Sequence, residues 1–172
     1  MTRTAIALSS GLVLAVYPTA RGFAWVIFES PQKPVAWSLV HARTGRGDHL
    51  VRRFARILDR YAPGTVVLED FEKTSRRSAR IRHLCQEMAH EAMIRGMETP
   101  VFDNDAVRMV FAKYGAMTRA AITRVIADMI EDFRHRMPRP QQTGNSEDVR
   151  QSLFDATALV LTYFVYCGDI DC

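Results

Sequence analysis

The sequence has few cysteines and no hydrophobic run long enough to cross a membrane. Its three cysteines, Cys85, Cys167 and Cys172, are an odd number without metal-ligand spacing, which indicates reduced thiols in a cytoplasmic protein. The longest apolar run near the C-terminus, residues 153–167, is short for a membrane span and is interrupted by Asp155. A Ser-Ser-Gly sequence also interrupts the apolar N-terminal run, so it is a poor signal peptide. We therefore expect neither secretion nor membrane association.

The sequence also lacks internal repeats and low-complexity segments. At 172 residues with 48% hydrophobic content, it suits one domain, residues 1–172, with a single core. The formal charge of +4 and the pI of about 9.2 suggest an anionic partner. Arginines on periodic segments carry most of this charge, so it belongs to the folded surface: Arg52, Arg53, Arg76, Arg77, Arg80, Arg82, Arg108, Arg119 and Arg124.

The first half of the chain predicts an antiparallel meander followed by a helix and a buried strand. Apolar and β-branched runs at 12–16, 23–28 and 35–40 are separated by turn residues, which is typical of three sequential strands. Apolar residues then recur at helical spacing over 50–61. A fourth strand follows at 65–70, and its continuous apolar run, residues 66–68, favours burial on both faces beside a parallel neighbour.

The second half predicts mainly helices. The pattern indicates a helix over 77–95, a short fifth strand at 100–102, an amphipathic helix that Thr118 caps, and a last helix over 146–166 that begins at Ser146. Together these elements predict an α/β protein with a mixed five-stranded sheet, three antiparallel strands followed by two parallel ones, and helices on both faces. This element order resembles the ribonuclease-H-like fold.

Two acidic residues stand out as candidates for chemistry. Two-magnesium hydrolysis of a phosphodiester needs several carboxylates that converge on one point. Glu69 ends the buried fourth strand, where open α/β sheets hold their sites, although a strand-end acid in water is the alternative. Asp155 interrupts an otherwise apolar helix, where a carboxylate is costly unless it is paired or binds metal. Its alternative partner is a neighbouring arginine or hydroxyl group.

Several collinear segments resemble RuvC-type Holliday-junction resolvases from Leu12 to Tyr166. "LAVYPTARGFAWVIF" is similar to the family's opening "GIDPGSRVTGYGVI", and "VVLEDF" is similar to the strand that ends in its catalytic glutamate. "PVFDNDAVR" resembles "PVFEYAARQVK", "YGAMTRAAITRVIADMI" matches a helix with a basic residue at its entry, and "FDATALVLTYF" matches "ADALAIAITHC". The resemblance implies a magnesium-dependent junction endonuclease that acts as a homodimer.

The same resemblance shows a departure in the acidic centre. It assigns Glu69 and Asp155 as catalytic and metal-binding residues, but Tyr17 and Ser152 occupy the other two expected carboxylate positions. Asp70 alternates to the opposite face of its strand, and Asp148 lies two helical turns, ~10.5 Å, from Asp155. We therefore expect the magnesium centre to be weakened or lost.

The DNA-binding residues that the resemblance implies are better retained than the acidic centre. Basic residues flank the "KYGAMTR" turn and follow the fourth strand, near the carboxylate edge where phosphates would pass: Arg108, Lys113, Arg119, Arg76, Arg77 and Arg80. Phe71 is offset by one residue from an aromatic that the family uses at the junction. The alternatives are a solvated basic face that serves solubility and, for Phe71, a core position.

The sequence thus favours a RuvC-like protein that binds branched or junction DNA with absent or weak nuclease activity. One alternative is an active endonuclease with an atypical site built from Glu69, Asp155 and Asp148. Another is a protein-interaction subunit that shares only the fold, since fold does not fix function.

Overall fold

The computed structural model describes residues 10–42, 48–73, 77–139 and 149–167. The strands are β1 (Ser10–Thr19), β2 (Gly22–Ser30), β3 (Lys33–His41), β4 (Pro63–Glu69) and β5 (Val101–Phe102). The helices are α1 (Asp48–Tyr61), α2 (Ala79–Met93), α3 (Asn104–Ala112), α4 (Arg119–Met129) and α5 (Gln151–Tyr166), with a 3-10 helix at Glu131–Arg136. No helix within these ranges is long and apolar enough to cross a membrane.

The five strands form one mixed sheet in the order β3-β2-β1-β4-β5. The pairs β1–β2 and β2–β3 are antiparallel, whereas β1–β4 and β4–β5 are parallel. This arrangement confirms the predicted sheet and places β1 and β4 side by side at its centre. Their central position explains why both strands are apolar on both faces.

A layer of helices covers each face of the sheet. Alternate residues of β1 separate into the two layers: Val13 and Ala15 pack with α4 and α5, while Leu14 and Val16 pack with α1 and α2. Phe133 of the 3-10 helix is fully buried in the first layer, against the rings of Phe28, Trp37 and Phe154. The predicted helices on both faces are therefore confirmed.

Local capping chemistry sets several helix ends. The Thr118 hydroxyl accepts the Ala121 N–H, as predicted for the start of α4, and the Ser78 hydroxyl accepts the Ile81 N–H at the start of α2. The observed helix α2, Ala79–Met93, is shorter at both ends than the helix predicted over 77–95. The sequence pattern did not predict α3, which Asp103 caps by accepting the Ala106 N–H. The predicted N-cap of the last helix, Ser146, lies outside the described residues.

The turn between β1 and β2 requires glycine at its end. Gly22 has a φ of 151°, and a Cβ there would lie 1.8 Å from the Val40 carbonyl oxygen. The turn is also held by the Thr19 hydroxyl, which accepts the Arg21 N–H at 3.3 Å. Arg21 is consequently held beside β3, at the same end of the sheet as Glu69.

Candidate functional site

Tyr17 and Glu69 lie side by side at the end of the sheet. In the parallel register Ala15 pairs with Val67, and Tyr17 and Glu69 each lie two residues further along these strands. Both side chains therefore point to the sheet face that α4 and α5 cover. The register therefore places Tyr17 next to the buried Glu69.

Helix α5 brings Asp155 to the same place. Tyr17, Glu69 and Asp155 line one cavity of about 240 Å³, together with residues of α3 and α4 that include Arg108 and Arg119. The structure thus brings together the two acidic residues that the sequence singled out. A cluster of charged groups forms at this end of the sheet even though two expected carboxylates are missing.

Arg77 neutralises Glu69. Its Nε donates to Glu69 Oε2 at 2.9 Å, and its Nη1 donates to the Pro18 carbonyl oxygen at 3.1 Å. Its Nη2 lies 2.7 Å from the same Glu69 oxygen, but this buried nitrogen makes no hydrogen bond to the described residues. Only 4% of the Glu69 side chain is exposed, so the pair is buried. The carboxylate is already bound by an internal cation.

Arg119 neutralises Asp155 in the same way. Its Nε donates to Asp155 Oδ1 at 2.9 Å, and its Nη2 contacts Asp155 Oδ2, which gives a two-point pair. Gln151 donates to Asp155 Oδ1 at 3.3 Å and to the Thr123 hydroxyl at 2.9 Å. This geometry corresponds to the alternative in which Asp155 pairs with an arginine.

Tyr17 lies between these ion pairs. The Arg77 guanidinium carbon is 4.4 Å from the centre of the Tyr17 ring, in cation–π contact. Burial, followed by the negative charges of Asp155 and Glu69, raises the pKa of the Tyr17 phenol well above its ordinary value. The residue is therefore a neutral phenol at physiological pH and adds no negative charge to the site.

Among the residues that the structure describes, the remaining polar groups supply no substitute for the missing carboxylates. The Ser152 hydroxyl donates to the Val149 carbonyl at 2.6 Å, and Asp70 accepts the N–H groups of Glu72 and Lys73 in a local turn. Asp148 lies outside the described residues. Burial, followed by the charge of Glu69, raises the pKa of the Cys85 thiol to about 12, so it also stays neutral.

The donor set does not fit a pair of magnesium ions. Among the described residues, no group of three or more His, Cys, Asp or Glu side chains could hold a metal. Hard divalent cations require several oxygen ligands, and here both convergent carboxylates have guanidinium partners. Arg77 and Arg119 place positive charge beside both carboxylates.

The predicted DNA-binding residues occupy different environments. Arg108 and Lys113 are exposed on α3 and its C-terminal cap, and Arg80 is exposed in the first turn of α2. Arg77 and Arg119 form the ion pairs with the acidic residues. Phe71 is half-buried against the α1 and α2 layer. Arg76 lies outside the described residues.

Sequence reasoning offered a neighbouring arginine as an alternative partner for Asp155, but it did not identify Arg119, and it gave no partner for Glu69. Arg77 and Arg119 were both predicted to bind phosphates, not to neutralise carboxylates. It also missed a second cavity of about 460 Å³ on the other side of Tyr17, lined in part by Arg21 and His41. The only signal in the sequence was the position of Arg21 within the turn segment that resembles the resolvases.

Comparison with known proteins supports the fold at low sequence identity. No protein-family model and no curated protein matches the sequence. The structure of RuvC from Thermus thermophilus aligns with a TM-score of 0.65 at 14% identity, over 91% of this chain and 96% of RuvC. The same protein in complex with a Holliday junction substrate aligns with a TM-score of 0.64 at 12% identity, over 92% and 96%. The fowlpox virus Holliday junction resolvase gives 0.53 at 16% identity, over 91% and 99%.

These alignments define the class as a RuvC-like, ribonuclease-H-like fold that spans nearly the whole length of its structural neighbours. The predicted resemblance and fold class are confirmed. At these identities the likeness establishes the fold, while activity has to be argued from the site.

Proposed function

We propose that this protein binds branched or junction DNA and has little or no metal-dependent nuclease activity. One observation carries the proposal: Glu69 and Asp155, the two acidic residues expected to bind metal, are each paired with an arginine. Tyr17 lines the same cavity and contributes an uncharged ring. The site therefore contains positive charge without bound metal.

Metal binding would compete with this arrangement. Magnesium that used the Glu69 oxygen held by Arg77 would have to displace a buried ion pair that also contacts the Pro18 carbonyl. Separating a buried pair is costly because each charge loses its partner in a medium of low dielectric constant. The neutral Tyr17 and Ser152 offer no compensating charge to the ion.

The exposed basic residues support DNA as the partner. Arg108 on α3, Lys113 at its C-terminal cap and Arg80 in the first turn of α2 are exposed, and Arg108 also lines the cavity with Glu69 and Asp155. Exposed cations of this kind can contact phosphates independently of sequence. One structural neighbour is a resolvase bound to a Holliday junction substrate. That neighbour supports a four-way junction as the first ligand to test.

The proposal is tested by binding and cleavage assays with the same substrates. We expect the protein to bind a labelled four-way junction more tightly than linear duplex in EDTA, and to leave both uncut with magnesium or manganese. Metal-dependent cutting that Glu69→Gln abolishes would instead support an endonuclease. Absence of any salt-dependent DNA binding would favour the protein-interaction alternative.

We further propose that the protein acts as a cytoplasmic homodimer. A junction with two-fold symmetry favours a symmetric protein that presents two equivalent sites. Sedimentation with and without junction DNA tests this, and a monomer under both conditions would overturn it.

A further inference from the structure

The larger of the two cavities beside Tyr17 has no counterpart among the predicted sites. Its volume is about 460 Å³, within the range of about 300–1,000 Å³ that is typical of small-molecule sites. Five parts of the chain converge on it: the β1–β2 turn, the end of β3 and the beginnings of α2, α4 and α5. Such convergence gives a concave site instead of a flat charged surface.

The polar walls of this cavity are positively charged. Arg21, Arg77 and Arg119 line it together with His41, whereas none of its described lining residues is acidic. Glu69 and Asp155 instead line the smaller cavity on the other side of Tyr17. The smaller cavity also contains Arg108 and Arg119, so its two acids are balanced by two arginines, and the larger cavity is the more basic of the two.

Two features prepare the larger cavity for an anion. Arg77 is held in place by Glu69 and the Pro18 carbonyl, and Arg119 is held by Asp155 while 49% of its side chain stays exposed. The guanidinium of Arg21 is exposed and has no hydrogen-bond or ion-pair partner among the described residues. An anion entering the cavity would meet cations that are already positioned, which lowers the entropic cost of binding.

The rest of the wall is apolar. Phe23, Leu39, Val40, Ile81 and Ala20 contribute to the lining, and Tyr17 presents an aromatic ring to the same space. A simple anion such as phosphate would leave this surface uncovered. A ligand with both a phosphate and a planar apolar part would fit both halves of the cavity.

We propose that this cavity binds one nucleoside monophosphate unit, with the phosphate on the arginines and the base against the apolar wall. The nucleoside monophosphate could be one nucleotide of a bound DNA strand. In that case the inference rests on the proposed function and identifies where one nucleotide of the DNA is held. A free mononucleotide offers the same chemistry. The exposed Arg21 and the half-exposed Arg119 would attract phosphate directly, without a bridging metal ion.

Isothermal titration calorimetry in EDTA tests the cavity with three probes: thymidine 5′-monophosphate, thymidine and inorganic phosphate. We expect the monophosphate to bind at least tenfold more tightly than either part alone. Arg21→Ala should weaken its binding at least fivefold, while Arg124→Ala, an exposed arginine on α4 outside the cavity, should leave it unchanged.

A second variant pair guards against effects on folding. Ala20 is exposed in the β1–β2 turn and lines the cavity. Ala20→Glu adds a negative charge there and should abolish monophosphate binding, whereas Ala20→Gln, of nearly the same size, should retain most of it. Equal loss in both variants would contradict an electrostatic site.

Competition then distinguishes the two sources of the nucleotide. If a nucleotide of the strand occupies the cavity, thymidine 5′-monophosphate should weaken junction binding and Ala20→Glu should weaken it too. Monophosphate binding without competition would support a free mononucleotide as the ligand. Failure of the monophosphate to bind, or binding no tighter than that of phosphate, would overturn the inference. Intact junction binding in that case would leave the proposed function standing.

Discussion

The two acidic residues of the site are neutralised in the same way but in different surroundings. The pair of Glu69 and Arg77 is buried, with 4% and 18% of the side chains exposed. In the pair of Asp155 and Arg119, 11% of the aspartate but 49% of the arginine is exposed. The contrast suggests that Arg77 belongs to the core of the fold, while Arg119 can exchange its partner for an incoming phosphate.

The largest effect is expected from breaking the buried pair. Arg77→Ala leaves Glu69 as an uncompensated buried charge and removes the contact with the Pro18 carbonyl. We expect it to lower the free energy of unfolding by about 3–5 kcal/mol, measured by urea denaturation. Arg80→Ala, an exposed neighbour, is the control and should change stability by less than about 0.5 kcal/mol. A loss of unfolding free energy of similar size in both variants would contradict the assignment of Arg77 to the core of the fold.

A second substitution series introduces carboxylates at the site and then removes one of its arginines. Tyr17→Asp with Ser152→Asp restores carboxylates at the two positions where the resemblance expects them, and should improve binding of manganese in calorimetry. Adding Arg119→Gln should improve it further, because Asp155 is then released from its ion pair. The single variant Ser152→Asp serves as the control. No gain in the triple variant would show that the alignment with the resolvases is wrong at these positions.

The exposed pair should matter less for stability and more for DNA binding. Arg119→Ala should cost about 1–2 kcal/mol of unfolding free energy, since Gln151 still donates to Asp155. If Arg119 also contacts a phosphate, the slope of log affinity against log salt should fall by roughly one. Fluorescence anisotropy across a salt series measures this.

Arg108→Ala is the matched comparison, because the one ion pair of this exposed side chain within the described ranges is with Asp105 at 3.4 Å. It should change the salt slope by a similar amount with almost no change in stability. Unchanged affinity and slope in both variants would mean that the DNA path lies elsewhere or that DNA is not the ligand.

The fold could be predicted from the sequence because local patterns and topology agree. Continuous apolar runs predicted the central strands, and the order of elements fixed the mixed sheet. The position of Glu69 followed from its place at the end of a buried strand. Its pairing could not be predicted, because Arg77 approaches from beyond β4, through a connection whose path depends on tertiary packing. The same holds for Asp155 and Arg119, which are 36 residues apart.

The smallest effect at neutral pH is expected from Tyr17→Phe, which keeps the ring under Arg77 but removes the hydroxyl. Burial and the two carboxylates raise the pKa of Tyr17 above its ordinary value of 10.0. The folded state therefore disfavours the phenolate relative to the unfolded chain. This contribution to stability is fully present below about pH 10 and is lost as pH rises above it. Urea denaturation should give nearly equal stabilities for wild type and Tyr17→Phe at pH 7, and a smaller loss in the variant between pH 7 and pH 11. Identical pH dependence in both proteins would mean that Tyr17 ionises freely in the folded state, and the ring would then not be enclosed by the two ion pairs.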